Sequence, residues 1–548
     1  MNANEGAGMP GRKISRKEWL LFAAVILVAL ALRLHFFLGA SVEDDLGFTG
    51  YANQVAHGYW ENGNDQALRR MTYAPMALAY YLFGINVFST QYYHMTCGLM
   101  TIATAFFLAR RYFGLAAAVG AGLFLAFIPL HIFYSSRTMP SLPETLWGGL
   151  GVWLLCSVED RRLRGASALA PLSYAGVGIL IGAAYLCRET GIVMMGVPLA
   201  FLGLAVLRPR EKTAERLGQL LLVLAGFLLI LVFEAWMDYG RTHDWFHRWH
   251  VVSQTQGRPG TDYVPWHFYL DQLLNIYPSQ GFIGFSAASW LRIPKFRLND
   301  SPHFLGFMGY VIFVSVVAYA WKAARGPQKI ILFWFLAYFL FLSFAVASFS
   351  PYVPIRKFNR YQLLFLTPAS IMAGWFLAAL WRKNRLGKLA VLGGALLLIG
   401  ASLYYTHQEY LPRRSYYRGA VELRQAFRRH VHSEIPIYID EFEGAVQDMW
   451  DGYHSPYHFW SLAGLLAPPT EESYIVVTRT LLNGDYATDY LNKPFLTTIP
   501  AGWVKIAEIK LRRWEYFKFD RYPVIFYVPP QETHPPPPGE LHPTDLTP

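Results

Sequence analysis

Charged residues are scarce in this chain of 548 residues. Only 16% of the residues are Asp, Glu, Lys or Arg, whereas a soluble globular protein has roughly a quarter. Hydrophobic residues make up 54% of the sequence and aromatic residues 16%. This balance argues against a soluble globular protein and indicates that much of the chain has lipid as its solvent.

Cysteines and nucleotide-binding motifs are also rare or missing. Cys97, Cys156 and Cys187 fall in or beside three different apolar runs, which argues against a disulfide framework and predicts small buried hydrophobic side chains. The sequence has no glycine-rich phosphate loop of the P-loop type, and no Rossmann fingerprint follows a predicted strand. Use of ATP or of a nucleotide-linked substrate is therefore not supported.

The apolar residues are gathered into eleven runs, which predict about eleven transmembrane helices. They lie at roughly 19–32, 92–108, 115–133, 145–158, 172–186, 192–207, 217–236, 304–321, 330–347, 363–380 and 389–405. Arg33 and His35 follow the first run, and no small-residue cleavage site precedes the next polar loop. We therefore expect an uncleaved first helix rather than a signal peptide.

The distribution of Lys and Arg gives these helices an orientation. If the N-terminus is cytoplasmic, six short basic segments fall inside: 12–17, 110–111, 159–164, 208–216, 322–329 and 382–388. Short cytoplasmic loops retain Lys and Arg, so the pattern predicts an integral protein of the plasma (inner) membrane with a cytoplasmic N-terminus. It also accounts for most of the formal net charge of +11, so no nucleic-acid partner is predicted.

Three long segments fall on the outer side: the loops 40–91 and 237–303, and everything after residue 406. The last contains a charged helical stretch near 421–429 and strand-like runs at 435–439, 474–478 and 524–528. We expect a transmembrane domain over 1–406 and a small soluble extracytoplasmic α/β domain over 407–530. The proline-rich residues 531–548 predict a disordered tail.

Ionisable residues recur at the outer ends of the predicted helices. They are Glu43-Asp44-Asp45, Arg137, Glu144, Arg188-Glu189, Arg356-Lys357 and Arg360. Such groups are costly at membrane depth and mark candidate functional sites. Carboxylates serve as general bases or hold a divalent cation, for which Asp45 and Glu144 are the candidates, and arginines suit a phosphate. We expect a pocket for a lipid phosphate; the alternatives are a solvated acidic cap and charges that pair only for assembly.

Several short motifs resemble those of one family, the GT-C glycosyltransferases that use polyprenyl-phosphate sugars. They are Asp44-Asp45 followed at set spacing by Ala52, Ala56 and Gly58; Tyr73-Ala74-Pro75; Phe83-Gly84; Tyr134 to Arg137; Pro143-Glu144; Arg188; and Arg360-Tyr361 with Pro368. Their order is similar to that of the protein O-mannosyltransferase and aminoarabinose-transferase group. The resemblance implies a GT-C type fold with about eleven transmembrane helices.

The resemblance also implies a reaction. A carboxylate deprotonates an acceptor hydroxyl, which attacks the anomeric carbon of the sugar while polyprenyl phosphate leaves, with inversion. Asp44 is then the candidate base, with Asp45 and Glu144 orienting the site or holding a divalent cation. Arg137, Arg188, Arg360 and Tyr361 would bind the donor phosphate, and Tyr73 and Pro75 would belong to the substrate loop.

Two departures from the family pattern bear on the acceptor. The acidic pair is Asp-Asp rather than Asp-Glu, and Tyr73 stands where aminoarabinose transferases tend to have lysine. The sequence therefore does not decide whether the acceptor is a protein, a lipid or a glycan. It also does not decide whether the transferred sugar is a hexose or a pentose.

The main alternative function is a polytopic transporter or flippase for a lipid-linked or anionic substrate. A secondary transporter should show internal repeats and broken helices near the membrane midplane. No convincing repeat is present, and the ionisable residues cluster at one membrane face instead. His243, His247 and His250 have a spacing that can hold zinc, but the interleaved Trp and Arg residues favour an interfacial helix.

Overall fold

The computed structural model of the protein describes most of the chain in two units, Met1–Leu411 and Pro412–Pro548. The described residues are 14–37, 39, 44–60, 63–165, 170–207, 213–256, 269–270, 273, 308–349, 352–354, 359–439, 444, 447–449, 454–462, 465, 467–478, 499–509 and 523–530. Glu43, Arg356, Lys357, most of the loop 237–303 and the tail 531–548, all of which enter the sequence predictions, lie outside these residues.

The first unit is built from helices. They are α1 (Arg16–His35), α2 (Asp44–Ala56), α3 (Arg70–Phe83), α4 (Val87–Phe113), α5 (Leu115–Ala126), α6 (Pro129–Tyr134), α7 (Ser141–Leu163), α8 (Ala170–Cys187), α9 (Gly196–Val206), α10 (Thr213–Thr242), α11 (His247–Gln256), α12 (Met308–Lys322), α13 (Lys329–Phe344), α14 (Leu363–Lys383) and α15 (Arg385–His430). Short 3-10 helices cover Glu189–Met195, Gly326–Gln328 and Asn359–Gln362. A hairpin of β1 (Val346–Phe349) and β2 (Tyr352–Pro354) follows α13.

Each of the eleven apolar runs overlaps one or more of these helices. Six helical segments of the described chain are long and apolar enough to cross a membrane: Arg16–His35, Glu189–Val206, Thr213–Thr242, Gly326–Phe344, Arg360–Lys383 and Arg385–His407. Three shorter apolar helices are Leu115–Ala126, Pro171–Cys187 and Met308–Lys322. The prediction of a helical membrane protein is confirmed, while eleven crossings stays a prediction.

Glycine lets α8 and α10 pack backbone to backbone. A Cβ atom at Gly226 of α10 would lie 2.0 Å from the carbonyl oxygen of Ala175, and one at Gly178 of α8 would lie 2.0 Å from that of Val223. In lipid there is no hydrophobic driving force between helices, so close van der Waals packing at small residues holds them together. These two glycines therefore allow the close contact between α8 and α10.

Gly226→Ala is expected to destabilise the protein, because the added methyl group overlaps the backbone of α8. Overpacking of this kind costs about 1–3 kcal/mol. The control is Gly218→Ala on the same helix, where a Cβ meets nothing within 4 Å. Thermal unfolding of both variants in detergent checks this: equal transition temperatures would contradict the close packing of α8 on α10.

The second unit contains a five-stranded sheet and the end of α15. The strands are β3 (Ile437–Ile439), β4 (Phe459–Ser461), β5 (Ser473–Thr478), β6 (Val504–Glu508) and β7 (Pro523–Val528), in the order β4-β3-β5-β7-β6. β3 runs parallel to β4 and β5, and β7 runs antiparallel to β5 and β6. Leu423 and Phe427 of α15 pack against Ile437 and Val476 on one face. The predicted small C-terminal α/β fold is confirmed.

Candidate active site

The carboxylate of Asp45 is buried and paired with an arginine. Asp45 is the second residue of α2 and is 0% exposed. Nε of Arg137, from the segment between α6 and α7, lies 3.2 Å from Oδ2 of Asp45 and donates to it. The hydroxyl of Thr138 donates to the backbone carbonyl of Asp45 at 3.1 Å. Asp44 begins the same helix, and its side chain lies outside the described part of the chain.

Glu144 is the second buried carboxylate. It lies in the first turn of α7, where the helix dipole favours a negative charge, and it is 0% exposed. The hydroxyls of Thr190 and Tyr338 donate to its Oε1 at 2.8 and 3.0 Å. Its Oε2 has no hydrogen-bond partner within the described residues. One oxygen of this carboxylate is thus held by two hydroxyls, and the other remains available.

Arg188 lies beside this carboxylate, at the point where α8 gives way to the 3-10 helix Glu189–Met195. The side chain is buried, and its charge acts on Glu144. Nη2 donates to the hydroxyl of Tyr361, and Cζ lies 4.1 Å from the centroid of the Tyr361 ring. Nη1 has no hydrogen-bond partner in the described part of the chain. The structure therefore brings Glu144, Arg188 and Tyr361 together.

The segment between α6 and α7 and the first turns of α7 connect these groups. Met139, two residues after Arg137, has its Sδ 3.9 Å from Nη1 of Arg360. The hydroxyl of Thr145, the residue after Glu144, lies 3.4 Å from the carbonyl oxygen of Leu363. The late Arg360-Tyr361 motif therefore packs against the same short stretch that carries Arg137 and Glu144.

Comparison with known proteins finds one family model and several solved structures that are similar to this chain. Residues 71–236 match the family model described as dolichyl-phosphate-mannose-protein mannosyltransferase. The chain is similar to the crystal structure of ArnT from Cupriavidus metallidurans in the apo state, with 16% identity, a TM-score of 0.55, and coverage of 93% of this chain and 97% of that chain. The same ArnT bound to undecaprenyl phosphate matches equally, covering 98% of that chain. The chain has a GT-C fold.

One further structure is similar to the chain at a lower TM-score, and the search of curated sequences found no match. The Archaeoglobus fulgidus oligosaccharyltransferase tethered with an acceptor peptide is 13% identical, with a TM-score of 0.49, and the match covers 85% of this chain and 69% of that chain. No curated protein sequence gives a significant match. The predicted resemblance to polyprenyl-phosphate glycosyltransferases is confirmed, and the family model and fold together indicate a glycosyltransferase.

The contacts of the two buried carboxylates bear on the predicted metal site. Oδ2 of Asp45 accepts from a guanidinium, and Oε1 of Glu144 accepts from two hydroxyls. Within the described ranges no group of three or more His, Cys, Asp or Glu side chains is placed to hold a metal ion. His250, from the candidate zinc spacing, instead contacts Oδ2 of Asp244 through Nδ1 at 2.7 Å. The assignment of Asp45 and Glu144 as ligands of a divalent cation stays a prediction.

Tyr73 and Pro75, predicted in a substrate loop, lie in α3. The Tyr73 side chain is buried against Phe48 and Met76, and its hydroxyl donates to the carbonyl of Ala67 at 2.5 Å. Burial raises the pKa of Tyr73. Pro75 has no N–H group to donate to the carbonyl of Met71, four residues earlier. The hydroxyl of Tyr93 donates to the Met71 carbonyl instead, at 2.9 Å. Both residues thus shape α3 and its contacts.

A second buried charge network was missed by the sequence analysis. Arg248 of α11 pairs with Glu234 of α10 and, at 3.1 Å, with Glu189. Arg70 of α3 pairs with Asp238 of α10 and lies 3.6 Å from Glu234. Burial opposes the charge of Arg248, but Glu234 and Glu189 outweigh it and raise its pKa. The available signal was Glu234 and Asp238, two acids one helical turn apart at the end of an apolar run.

This network holds the 3-10 helix that follows Arg188. Adjacent side chains take different partners: Arg188 contacts Tyr361, and Glu189 contacts Arg248. Arg248 also donates to the carbonyls of Leu68 and Tyr185 at 3.2 and 3.0 Å. The network therefore ties α3, α8, α10 and α11 together beside the candidate site.

Arg248→Gln is expected to destabilise the fold, because it leaves the buried Glu234 without its closest cation and removes one of the two arginines paired with Glu189. Breaking a buried ion pair on one side costs about 3–5 kcal/mol. The control is Arg241→Gln, an exposed residue of α10 whose Cζ lies 5.6 Å from the centroid of the Trp60 ring. Thermal unfolding in detergent measures both. A transition temperature for Arg248→Gln as high as that of the control would refute a stabilising network.

Arg33 is another buried cation that the sequence analysis did not single out. It is 0% exposed, and its Nε donates to the Ser135 hydroxyl at 3.1 Å. Its Nη2 lies 2.6 Å from Nδ1 of His131, whose Nε2 lies 2.9 Å from the hydroxyl of Thr101. These contacts fasten α1 to α6 immediately before the segment that carries Arg137.

Proposed function

We propose that this protein transfers a sugar from a polyprenyl-phosphate donor to an acceptor hydroxyl, with inversion at the anomeric carbon. The observation that carries the proposal is a pair of buried polar atoms, Nη1 of Arg188 and Oε2 of Glu144, with no hydrogen-bond partner in the described residues. Buried polar atoms are almost always paired in a native protein, so unpaired ones mark where a ligand supplies the partner. A buried guanidinium suits a phosphate oxygen, and a carboxylate suits a sugar hydroxyl.

The proton transfer is assigned to the start of α2. Asp44 accepts the proton of the acceptor hydroxyl as its oxygen forms a bond to the anomeric carbon. The bond from that carbon to the phosphate oxygen breaks, and the electron pair leaves with polyprenyl phosphate. Oδ2 of Asp45 already accepts a hydrogen bond from Nε of Arg137 at 3.2 Å, so we assign the proton transfer to Asp44 and a positioning role to Asp45. Its role is to fix the first turn of α2.

The leaving phosphate gains negative charge during the displacement, and nearby cations stabilise it. Arg188 is aligned by Tyr361, because the aromatic ring lies 4.1 Å from Cζ and the phenol accepts from Nη2. Donors fixed in advance of the reaction stabilise such charge most effectively. Arg360 lies on the same short 3-10 helix as Tyr361 and adds a second positive charge. A single displacement of this kind inverts the anomeric configuration.

The positions of the basic loops support an orientation for this reaction. We assign the N-terminus to the cytoplasm and the ends of the helices that carry Asp45, Glu144 and Arg188 to the outer face of the plasma (inner) membrane. The soluble unit after residue 411 is then extracytoplasmic. The acceptor is a protein, lipid or glycan hydroxyl presented on that side, and the transferred group is a hexose or a pentose.

The test is sugar transfer by the purified full chain in vesicles of defined lipid. A panel of polyprenyl phosphates carrying labelled hexoses and pentoses is supplied with peptide, lipid and glycan acceptors. Labelled nucleotide sugars without polyprenyl phosphate are the matched control. Transfer is expected with at least one lipid-linked donor and with none of the nucleotide sugars, and the product's anomeric configuration is read by NMR.

Two results would overturn the proposal. Transfer from a nucleotide sugar would show that the lipid phosphate is not the leaving group. Movement of the labelled lipid between the vesicle leaflets, with no transfer to any acceptor, would favour the transporter or flippase. Retention of configuration in the product would remove the single-displacement mechanism but leave the donor class in place.

A further inference from the structure

A cavity lies at the opposite ends of the helices from the candidate active site. It is bounded by the end of α7, by α9, by the first turn of α10 and by the beginning of α13. Glu144 and Glu159 both belong to α7, and their separation of 15 positions corresponds to about 22 Å along the helix. The cavity and the candidate active site are therefore separate places on the molecule.

The cavity carries more positive than negative charge. Among the residues that the structure describes, its ionisable lining consists of Arg162, Arg216, Lys329 and Glu159. Glu159 is saturated: Tyr174 and Arg216 donate to its Oε1 at 2.6 and 2.7 Å, and Arg162 donates to its Oε2 at 3.3 Å. One carboxylate thus faces two guanidinium groups and an ammonium group, which leaves the lining with two excess positive charges.

Lys329 supplies the charge that no acid balances. It has no ion-pair partner in the described part of the chain, and it is the first residue of α13, where the positive end of the helix dipole adds to its charge. Arg216, by contrast, is buried and fixed by Glu159 and by Oε1 of Gln219 at 2.9 Å. The cavity combines the fixed guanidinium of Arg216 with Lys329, which has no ion-pair partner among the described residues.

The remaining described lining of the cavity is apolar, and several of its side chains are exposed at the surface. Leu163 and Leu204 are 63% and 46% exposed, and Phe201 and Phe333 are partly exposed beside them. The cavity offers about 90 Å³ to the centre of a water molecule, whereas about 10–15 Å³ holds one water. It has room for a phosphate group, with apolar side chains beside it for the chains of an amphiphile.

We propose that this cavity binds the phosphate of an anionic phospholipid, with its acyl chains against Leu204 and Phe333. Basic pockets between membrane helices bind anionic headgroups through such cations. The apolar opening distinguishes the lipid from free phosphate, which would use Lys329 and Arg162 but not the leucine and phenylalanine side chains. The site is independent of the sugar-transfer reaction, so it stands or falls separately from the proposed function.

The test measures which lipids stay bound to the full-length protein. The protein is equilibrated with equal amounts of phosphatidylglycerol and phosphatidylcholine in detergent micelles, and retained lipids are counted by native mass spectrometry. Lys329→Gln and Arg162→Gln are compared with Lys383→Gln, an exposed lysine at the end of α14 that does not line the cavity. We expect preferential retention of phosphatidylglycerol, weakened about five-fold by each cavity variant and unchanged by the control.

Three outcomes would overturn the proposal. Equal retention of the two lipids would show that the cavity does not distinguish lipids by charge. If Lys383→Gln weakened the retention of phosphatidylglycerol as much as the cavity variants do, the attraction would be non-specific. In a second arm, inorganic phosphate is added to the detergent-solubilised protein without phospholipid. If it raises the thermal stability as much as phosphatidylglycerol does, the site is one for free phosphate and not for a lipid. Circular dichroism of each variant ensures that lost retention is compared among folded proteins.

Discussion

Replacing Asp44 by asparagine is expected to lower the rate of sugar transfer by about 10²- to 10⁴-fold, the range that a positioned general base contributes. Asparagine keeps the size of the side chain but cannot accept the proton of the acceptor hydroxyl. Asp44 begins α2 and does not form part of the helix interior, so the substitution should leave the fold intact. The measurement is kcat with the best lipid-linked donor, together with the thermal transition of each preparation.

Replacement of the neighbouring carboxylate, Asp45, is the comparison that tests whether Asp44 is the base. Asp45→Asn removes the partner of Arg137 and leaves a buried cation without its carboxylate, so stability should fall along with activity. Glu434→Gln, at an exposed position of the second unit, should change neither. If Asp44→Asn kept the activity of the wild type while Asp45→Asn lost it without loss of stability, the base would have to be reassigned to Asp45.

The sheet of the second unit shows which strands a sequence can reveal. Runs at 435–439, 474–478 and 524–528 were predicted as strands, and they correspond to β3, β5 and β7 in the middle of the sheet. β4 and β6 were missed, and both are edge strands. A central strand is packed on both sides and reads as an apolar run, whereas an edge strand such as Val504–Glu508 has one neighbour and keeps exposed polar residues.

The membrane helices were predicted well because a bilayer demands long apolar segments, but helix interruptions were less visible. The run at 115–133 is divided into α5 and α6, with Pro129 at the beginning of the second helix. The run at 330–347 ends as a helix at Phe344, and the hairpin β1-β2 follows. Both interruptions lie inside stretches of uniform hydrophobicity, where composition does not distinguish a helix from a turn or a strand.

The sequence predicts which residues belong to the candidate site, and their roles stay predictions, but it does not predict their pairings. Asp45 and Arg137 are 92 residues apart in the sequence and meet only in the folded chain. In the sequence Arg188 and Glu189 are adjacent and of opposite charge, yet Arg188 contacts Tyr361 and Glu189 contacts Arg248. Their side chains diverge because they lie where the backbone changes from α-helix to 3-10 helix. The sequence identifies which groups are too costly to bury without purpose, and the fold decides which partner each receives.

Arg188→Gln is expected to lower the rate of sugar transfer by about 10²- to 10³-fold, as the loss of one preorganised donor to a developing negative charge does elsewhere. Nη1 of this buried guanidinium has no partner in the described residues, so glutamine removes the group that the donor phosphate would use. Arg188→Lys should retain part of the activity, because lysine keeps the charge but not the planar fork that Tyr361 aligns. Arg385→Gln, an exposed arginine, is the control.

Inhibition by polyprenyl phosphate, the released product, separates a phosphate-binding role of Arg188 from a structural one. If Arg188 binds the phosphate, the glutamine variant should be inhibited much less strongly than the wild type, and Tyr361→Phe should weaken inhibition by a smaller factor because the ring still lies over the guanidinium. A purely structural arginine would lower the thermal transition and the fraction of active protein, but the molecules that remain folded would be inhibited as before. Unchanged product inhibition in Arg188→Gln would therefore move the phosphate site away from Arg188, with Arg360 on the neighbouring 3-10 helix as the next residue to replace.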